Sequence, residues 1–187
     1  MKTRNQRMPA QAALACLFAS LCCAGAYIAI PIPVGPVPLA LGNLFAVLGG
    51  LLLGPAWGAL ASLIYVAVGA LGFPVFSGGR GGLAHLAGPT GGYLAGYIVA
   101  ALLAGLIARR RGAFASVAGA VVGFAAILVL GSVGLKFLGG IGWDRAFAVG
   151  VLPFLPGDAV KAALAALVAV KVGPFVDSLT GRRDAPA

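Results

Sequence analysis

The stretch from Pro153 to Val170, PFLPGDAVKAALAALVAV, decides how the rest of the chain is read. A carboxylate and an ammonium, Asp158 and Lys161, stand three residues apart, behind two prolines and a glycine, and nine apolar residues follow Lys161. A helix needs about 20 apolar residues to cross a bilayer core. The composition extends that reading outward. Of 187 residues, 61% are hydrophobic and 9% charged, against about 25% charged in a soluble domain. So few charges cannot cover a soluble surface, and most of the outside must face a lipid bilayer. A β-barrel would show alternating strands of about 10 residues, whereas the runs here are continuously apolar. The expected class is an all-α polytopic membrane protein.

Proline, glycine and charge divide the chain into six expected spans in one transmembrane domain: 11–30, 41–54, 56–71, 91–108, 114–138 and 153–172. Pro31, Pro33, Pro36 and Pro38 mark an extended loop after the first span, since proline breaks helices and favours polyproline geometry. A glycine-rich loop covers 72–90, and a third loop, 139–151, carries Trp143, Asp144 and Arg145. The first segment is basic and then apolar like a signal peptide, but its run is long enough to span, and it reads as a retained helix.

The net charge of +9 does not point to nucleic acid. Lys2, Arg4, Arg7, Arg109, Arg110, Arg111, Lys171, Arg182 and Arg183 fall on one side of the spans; Arg80, Lys136, Arg145 and Lys161 fall on the other. The positive-inside rule then places both termini in the cytoplasm and the three loops outside. The three Cys, at 16, 22 and 23, lie in one apolar run and read as small apolar filler rather than a disulfide framework.

Several residues on that outer side can bind a ligand. Asp158 and Lys161, at i and i+3, share a helix face. One reading makes Asp158 a helix-dipole anchor and Lys161 a snorkelling cation. The other makes them a site, because ionisable residues within spans mark ligand or ion pathways. In GFPVFSGGRGGLAHLAGPTGGYLAGY, Gly72–Tyr97, glycines such as Gly79 let backbone approach a ligand, with Ser77 beside it. Arg80, the one charge there, suits a carboxylate, unless it is a solvated loop residue. Phe73, Phe76 and Tyr93 can stack on a ring, or else form an interfacial aromatic belt. His85 reads as a loop or cap residue and Lys136 as a snorkelling one. Ala15 and Ala19, beside Cys16 and Ser20, have the small-xxx-small spacing that lets helices approach in lipid, for internal packing or for a partner. No P-loop, HExxH, GxSxG or His/Cys cluster is present, so no enzyme, metal or cofactor is expected and any energy source lies elsewhere.

Taken together, GPVP, GLLLGP, GALGFPVFSGGRGG, GPTGGYLAGY and VLPFLPGDAVKAALA resemble the BioY family, the biotin-binding S components of energy-coupling factor transporters, over roughly 11–172. The resemblance implies an S-component fold of six transmembrane helices in the bacterial cytoplasmic membrane, with biotin bound near the outer face under the loops. Asp158 and Lys161 would hold the polar end groups of biotin. Ala15 and Ala19 would meet a transmembrane coupling subunit, which two ATP-binding cassette ATPases would energise. The family often has polar residues after GPVP; here the stretch is Leu39-Ala40-Leu41-Gly42-Asn43, and Asn43 is the candidate to supply that contact. An S component for another vitamin and a stand-alone transporter are the alternatives.

Overall fold

The computed structural model describes residues 4–30, 37–110 and 112–180. Among them the helices are α1 (Arg4–Tyr27), α2 (Gly42–Leu53), α3 (Pro55–Ala70), α4 (Leu83–Leu86), α5 (Gly91–Ile107), α6 (Ala113–Phe137), α7 (Trp143–Gly150) and α8 (Leu155–Thr180). A 3-10 turn, Ala108–Arg110, follows α5. Two short strands, β1 (Ala29–Ile30) and β2 (Leu39–Ala40), pair antiparallel. Of the proline loop, Pro31, Pro33 and Pro36 lie outside the described residues, as do Lys2, Arg111, Arg182 and Arg183.

Several boundaries differ from the reading of the sequence: α1 begins at Arg4 rather than 11, and the expected loop 72–90 contains the one-turn α4. The first helix ends at Tyr27 rather than at 30, because Ala29 and Ile30 leave the helix to pair with Ala40 and Leu39. The segment 139–151, expected as a loop, contains α7. Its apolar residues alternate at helical spacing: Ala146, Val149 and Gly150 are buried while Trp143 and Phe147 stay exposed. The last helix runs to Thr180 instead of 172, with Pro174 inside it.

Three helical segments are long and apolar enough to cross a membrane: Met8–Tyr27, Ala113–Phe137 and Leu155–Thr180. Three apolar helices, α2, α3 and α5, are shorter. The 12 residues of α2 reach only about 18 Å at 1.5 Å per residue. Of these, only Phe45 is not fully buried, because α1, α3, α5, α6 and α8 all pack around the helix. A helix apolar on every side is one enclosed by protein, so α2 is the axle of the bundle. Its backbone touches that of α5: a Cβ on Gly50 would lie 2.2 Å from the Ala101 carbonyl oxygen. Side-chain-free approach of this kind is how helices gain packing where lipid offers no hydrophobic drive. Outward faces carry exposed Leu60, Leu63, Leu102, Val117, Val121, Val129, Leu164 and Leu167, a surface suited to acyl chains.

Ala15 and Ala19 require a correction. They are 1% and 4% exposed and belong to the core, where α1 meets α2 and α3. Their small size serves internal packing, so they present nothing to a partner. Among the small residues that α1 does expose, Ala12, Cys16, Ser20 and Ala24 stand about one helical turn apart on the adjoining face. Ser20 Oγ donates to the Cys16 carbonyl at 3.0 Å, which satisfies that hydroxyl within the helix.

Candidate functional site

A cavity of about 390 Å³ opens where the β1–β2 pair and the loop 72–90 meet α2, α5, α6 and α8. Small-molecule sites span about 300–1,000 Å³. One wall holds the ionic residues. Asn43, Asp158 and Lys161 are all buried, and their side chains close on one another. Lys161 Nζ donates to Asp158 Oδ1 at 3.2 Å, to Asn43 Oδ1 at 3.1 Å and to the Ala40 carbonyl at 3.0 Å. An ammonium has three protons, so all its donors are used. Asn43 Nδ2 donates to the same Asp158 Oδ1 at 3.1 Å.

Helix geometry explains the convergence. Asp158 sits in the first turn of α8, where the macrodipole favours negative charge. Lys161, one turn on, reaches back to it and across to the start of α2. Burying two charges costs several kcal/mol each unless they are paired and fully hydrogen-bonded. Lys161 meets that condition and Asp158 meets half of it. Its second oxygen, Oδ2, is buried with no hydrogen-bond partner, and Asp158 lines the cavity. A carboxylate oxygen accepts hydrogen bonds and does not donate them. This wall therefore offers an unused acceptor, fixed by a lysine behind it. Lys161 itself is not on the cavity surface.

The opposite wall is the glycine-rich loop, organised by one ring. Phe76 is 1% exposed although it lies in a surface loop. Its ring fills a socket over Gly69, where a Cβ would come within 2.1 Å of it; any larger residue at 69 would expel it. Tyr65 meets the ring edge-on at 5.7 Å and His85 stacks on it at 5.2 Å. The backbone of Phe76 bridges to Arg80, its N–H donating to the Arg80 carbonyl at 2.8 Å. So Phe76 holds both Arg80 and His85 at the cavity. Arg80 is exposed, and among the described residues no carboxylate pairs with it. His85 Nε2 lies 3.0 Å from Thr90 Oγ1. Burial first, and Arg80 second, push the His85 pKa below its usual 6.5. Tyr27 donates from its hydroxyl to the Pro74 carbonyl, tying the loop to the end of α1.

Aromatic and aliphatic side chains fill the space between the walls. Tyr93 presents its ring and spends its hydroxyl on the Gly150 carbonyl at 2.7 Å, which fixes the end of α7. Phe154 tilts against it at 5.9 Å, and Tyr97 stacks on Tyr65 at 5.9 Å. Leu94, Ile127 and Leu128 complete the surface.

Of the residues singled out in the sequence, Asn43, Ser77, Arg80, Tyr93 and Asp158 line the cavity. Lys161 stands behind it. Gly79 lies beside the lining residue Gly78 without lining the cavity itself, and Phe73 is 58% exposed and outside it. Tyr97, Phe154, Thr90 and His85 line it without having been chosen. Two of them carried a usable signal: Tyr97 follows Tyr93 by four residues on one face of α5, and Phe154 precedes Asp158 by four, in the turn that opens α8, where its carbonyl accepts from the Asp158 N–H at 2.8 Å. The arrangement suits a small molecule with a hydrogen-bond donor for Asp158, an anionic group for Arg80 and an apolar body between them.

The chain as a whole is similar to known proteins. A family model, the BioY family, matches residues 1–178. The probable biotin transporter BioY of Pyrococcus horikoshii is 42% identical over 163 residues, covering 87% of this chain and 95% of that one. The biotin transporter BioY of Thermotoga maritima is 41% identical over 158 residues, covering 83% and 91%. Among solved structures, the S-component for biotin from an ECF-type ABC transporter superposes with a TM-score of 0.83 at 26% identity, covering 92% of this chain and 94% of that chain.

Proposed function

Since this chain belongs to the BioY family, we propose that it is a biotin-binding membrane subunit that captures biotin at the outer face of the cytoplasmic membrane for uptake. The observation that carries the reading is the cavity with an orphaned acceptor on one wall and an unpaired cation on the other. The ureido ring of biotin has N–H donors for Asp158 Oδ2 and Asn43, and its valerate carboxylate suits Arg80, which can hold it bidentately. The fused ring and chain take the apolar surface of Tyr93, Tyr97 and Phe154. Ser77 and the Gly78 backbone close over them. Lys161 acts through Asp158 as a positioning residue.

In this reading α1, α2, α3, α5, α6 and α8 form six transmembrane segments. The short α2 is tolerated because protein, not lipid, surrounds it. Both termini face the cytoplasm, supported by Arg109 after α5 and Lys171 in α8, at the far ends of helices that begin at the cavity. Transport needs an energy source, for which the solved relative's ECF-type assembly is the precedent. A transmembrane coupling subunit carrying two ATP-binding cassette ATPases is the proposed partner, and the exposed line Ala12, Cys16, Ser20 and Ala24 on α1 is its proposed seat, since small residues permit close helix approach.

Calorimetry on the purified protein in detergent, with biotin, thiamine and riboflavin, tests the substrate. Saturable binding of biotin alone is expected. A folded sample that ignores biotin, or that binds another of the vitamins instead, overturns the assignment.

A further inference from the structure

His85 has no part in the function so far, although it is the one histidine of the chain and stands on the same wall of the cavity as Arg80. Its ring is held twice, by its face on Phe76 and by Nε2 on Thr90 Oγ1. Among the described residues that leaves Nδ1 without a partner. A threonine hydroxyl both donates and accepts, so the contact at Nε2 survives protonation of the ring by turning the hydroxyl.

We propose that His85 is a proton-switched second cation of the Arg80 wall: neutral in the empty protein, it takes a proton from solvent when a carboxylate ligand binds and joins Arg80 in holding it. This inference rests on the biotin reading above. In the empty site, burial and the Arg80 charge both disfavour the imidazolium. A bound carboxylate cancels the second and adds an attraction of its own. The other titratable groups facing the ring from its surroundings do not substitute for it. Tyr65 on α3 and Tyr93 and Tyr97 on α5 stay uncharged near neutrality, and Asp158 across the cavity is engaged by Lys161.

The sign follows from linkage. A ligand that raises the pKa of a bound-state group binds more tightly as pH falls, and that gain is lost as pH rises through the bound-state value. Each unit of rise is about tenfold in affinity. Between pH 8 and pH 5.5, where a carboxylic acid is still mostly ionised, biotin is expected to bind about fivefold more tightly at the acid end.

Calorimetry in buffers of different ionisation enthalpy at pH 6.5 reads the proton directly. Net uptake is expected with biotin and none with biotin amide, which lacks the carboxylate. His85→Gln, checked for folding by its melting curve, is expected to bind biotin without proton uptake and with one affinity across the range. Biotin binding with no proton uptake, or uptake that persists in His85→Gln, overturns the inference and leaves the substrate assignment standing. Uptake equal for biotin and its amide also overturns it. A folded protein that binds no biotin overturns both.

Discussion

The two walls of the cavity are built by opposite means. The wall of Asn43, Asp158 and Lys161 joins residues 115 to 121 positions apart in sequence through buried polar bonds. Its members are anchored on helices that are themselves packed in the bundle. The wall of Phe76, Arg80 and His85 comes from one loop, in which Gly72, Gly78, Gly79 and Gly82 all have positive φ; one ring in one socket, the Tyr27 hydroxyl on the Pro74 carbonyl and the Gly82 N–H on the Gly69 carbonyl at 2.7 Å hold it. The first wall is rigid because moving any member leaves a charge unpaired. The second is hinged because releasing it costs the Phe76 socket and a few hydrogen bonds between uncharged groups, and leaves no buried charge unpaired. A binding protein gains affinity from preorganisation, but a buried ligand also needs a way in, and dividing these tasks between two walls meets both needs.

The sharpest way to break this contrast is at Lys161. Lys161→Ala would leave Asp158 and Asn43 facing each other with no cation, and breaking a buried pair costs about 3–5 kcal/mol. The expected outcome is a large loss of thermal stability in detergent together with loss of biotin binding. The double variant Asp158→Ala/Lys161→Ala is expected to recover much of the stability and none of the binding. If Lys161→Ala alone melted and bound like the parent, the rigid wall would not depend on its ion pair.

The hinged wall is tested next at Gly69. Gly69→Val puts a side chain where the Phe76 ring lies. Overpacking typically costs about 1–3 kcal/mol, and here the loop can yield while the bundle keeps its fold. Biotin affinity is expected to fall by roughly 10- to 100-fold with little change in melting temperature. Trypsin supplies a second readout, because it cleaves after Lys and Arg and Arg80 is the one such residue of the loop 72–90. Cleavage there should quicken in Gly69→Val, and biotin should slow it in the parent. Equal cleavage rates in both proteins would mean that Phe76 is not what holds the loop.

A milder cut is Arg80→Gln, which keeps the loop and removes the charge. Hydrogen bonds to charged groups contribute about 1.5–3 kcal/mol, less at an exposed position. Affinity for biotin is expected to drop about tenfold while affinity for biotin amide holds. An equal drop for both ligands would place the carboxylate elsewhere.

The same contrast explains what could be read in the sequence. The helices announced themselves because lipid-facing and core-facing runs are both apolar, and proline and glycine mark where they stop. Asp158 and Lys161 stood out as charges in an apolar run, and Asn43 could be marked only through the family's habit of polar residues there. That Lys161 would stand behind Asp158 could not be read, since the third acceptor that uses up its protons is the backbone of Ala40. α7 was missed because eight residues with two charges resemble a loop; its anchor is a Tyr93 hydroxyl from another helix. Phe76 and Phe73 could not be ranked by sequence, because a socket formed by a missing side chain at Gly69 belongs to three-dimensional packing. Ala15 and Ala19 misled for a related reason: small spacing on a helix says that something approaches closely, and not whether it is a partner or the chain itself.

The smallest effect is expected at Phe73, and it bears on how far the hinged wall travels. Phe73 shares the loop with Phe76, three residues away, and reads equally well as a stacking ring from sequence. It is 58% exposed, while Phe76 is 1% exposed. Surface substitutions away from special features usually change stability by no more than about 0.5 kcal/mol. If the loop already stands in its ligand-holding position, Phe73→Ala should alter biotin affinity less than about twofold, because the ring touches no cavity surface. A loss of tenfold would instead show that the loop closes further around biotin than it does here and carries Phe73 inward. The hinged wall would then be a moving lid with two aromatic residues, and Gly72, whose positive φ of 102° precedes Phe73, would be the place to look for its pivot.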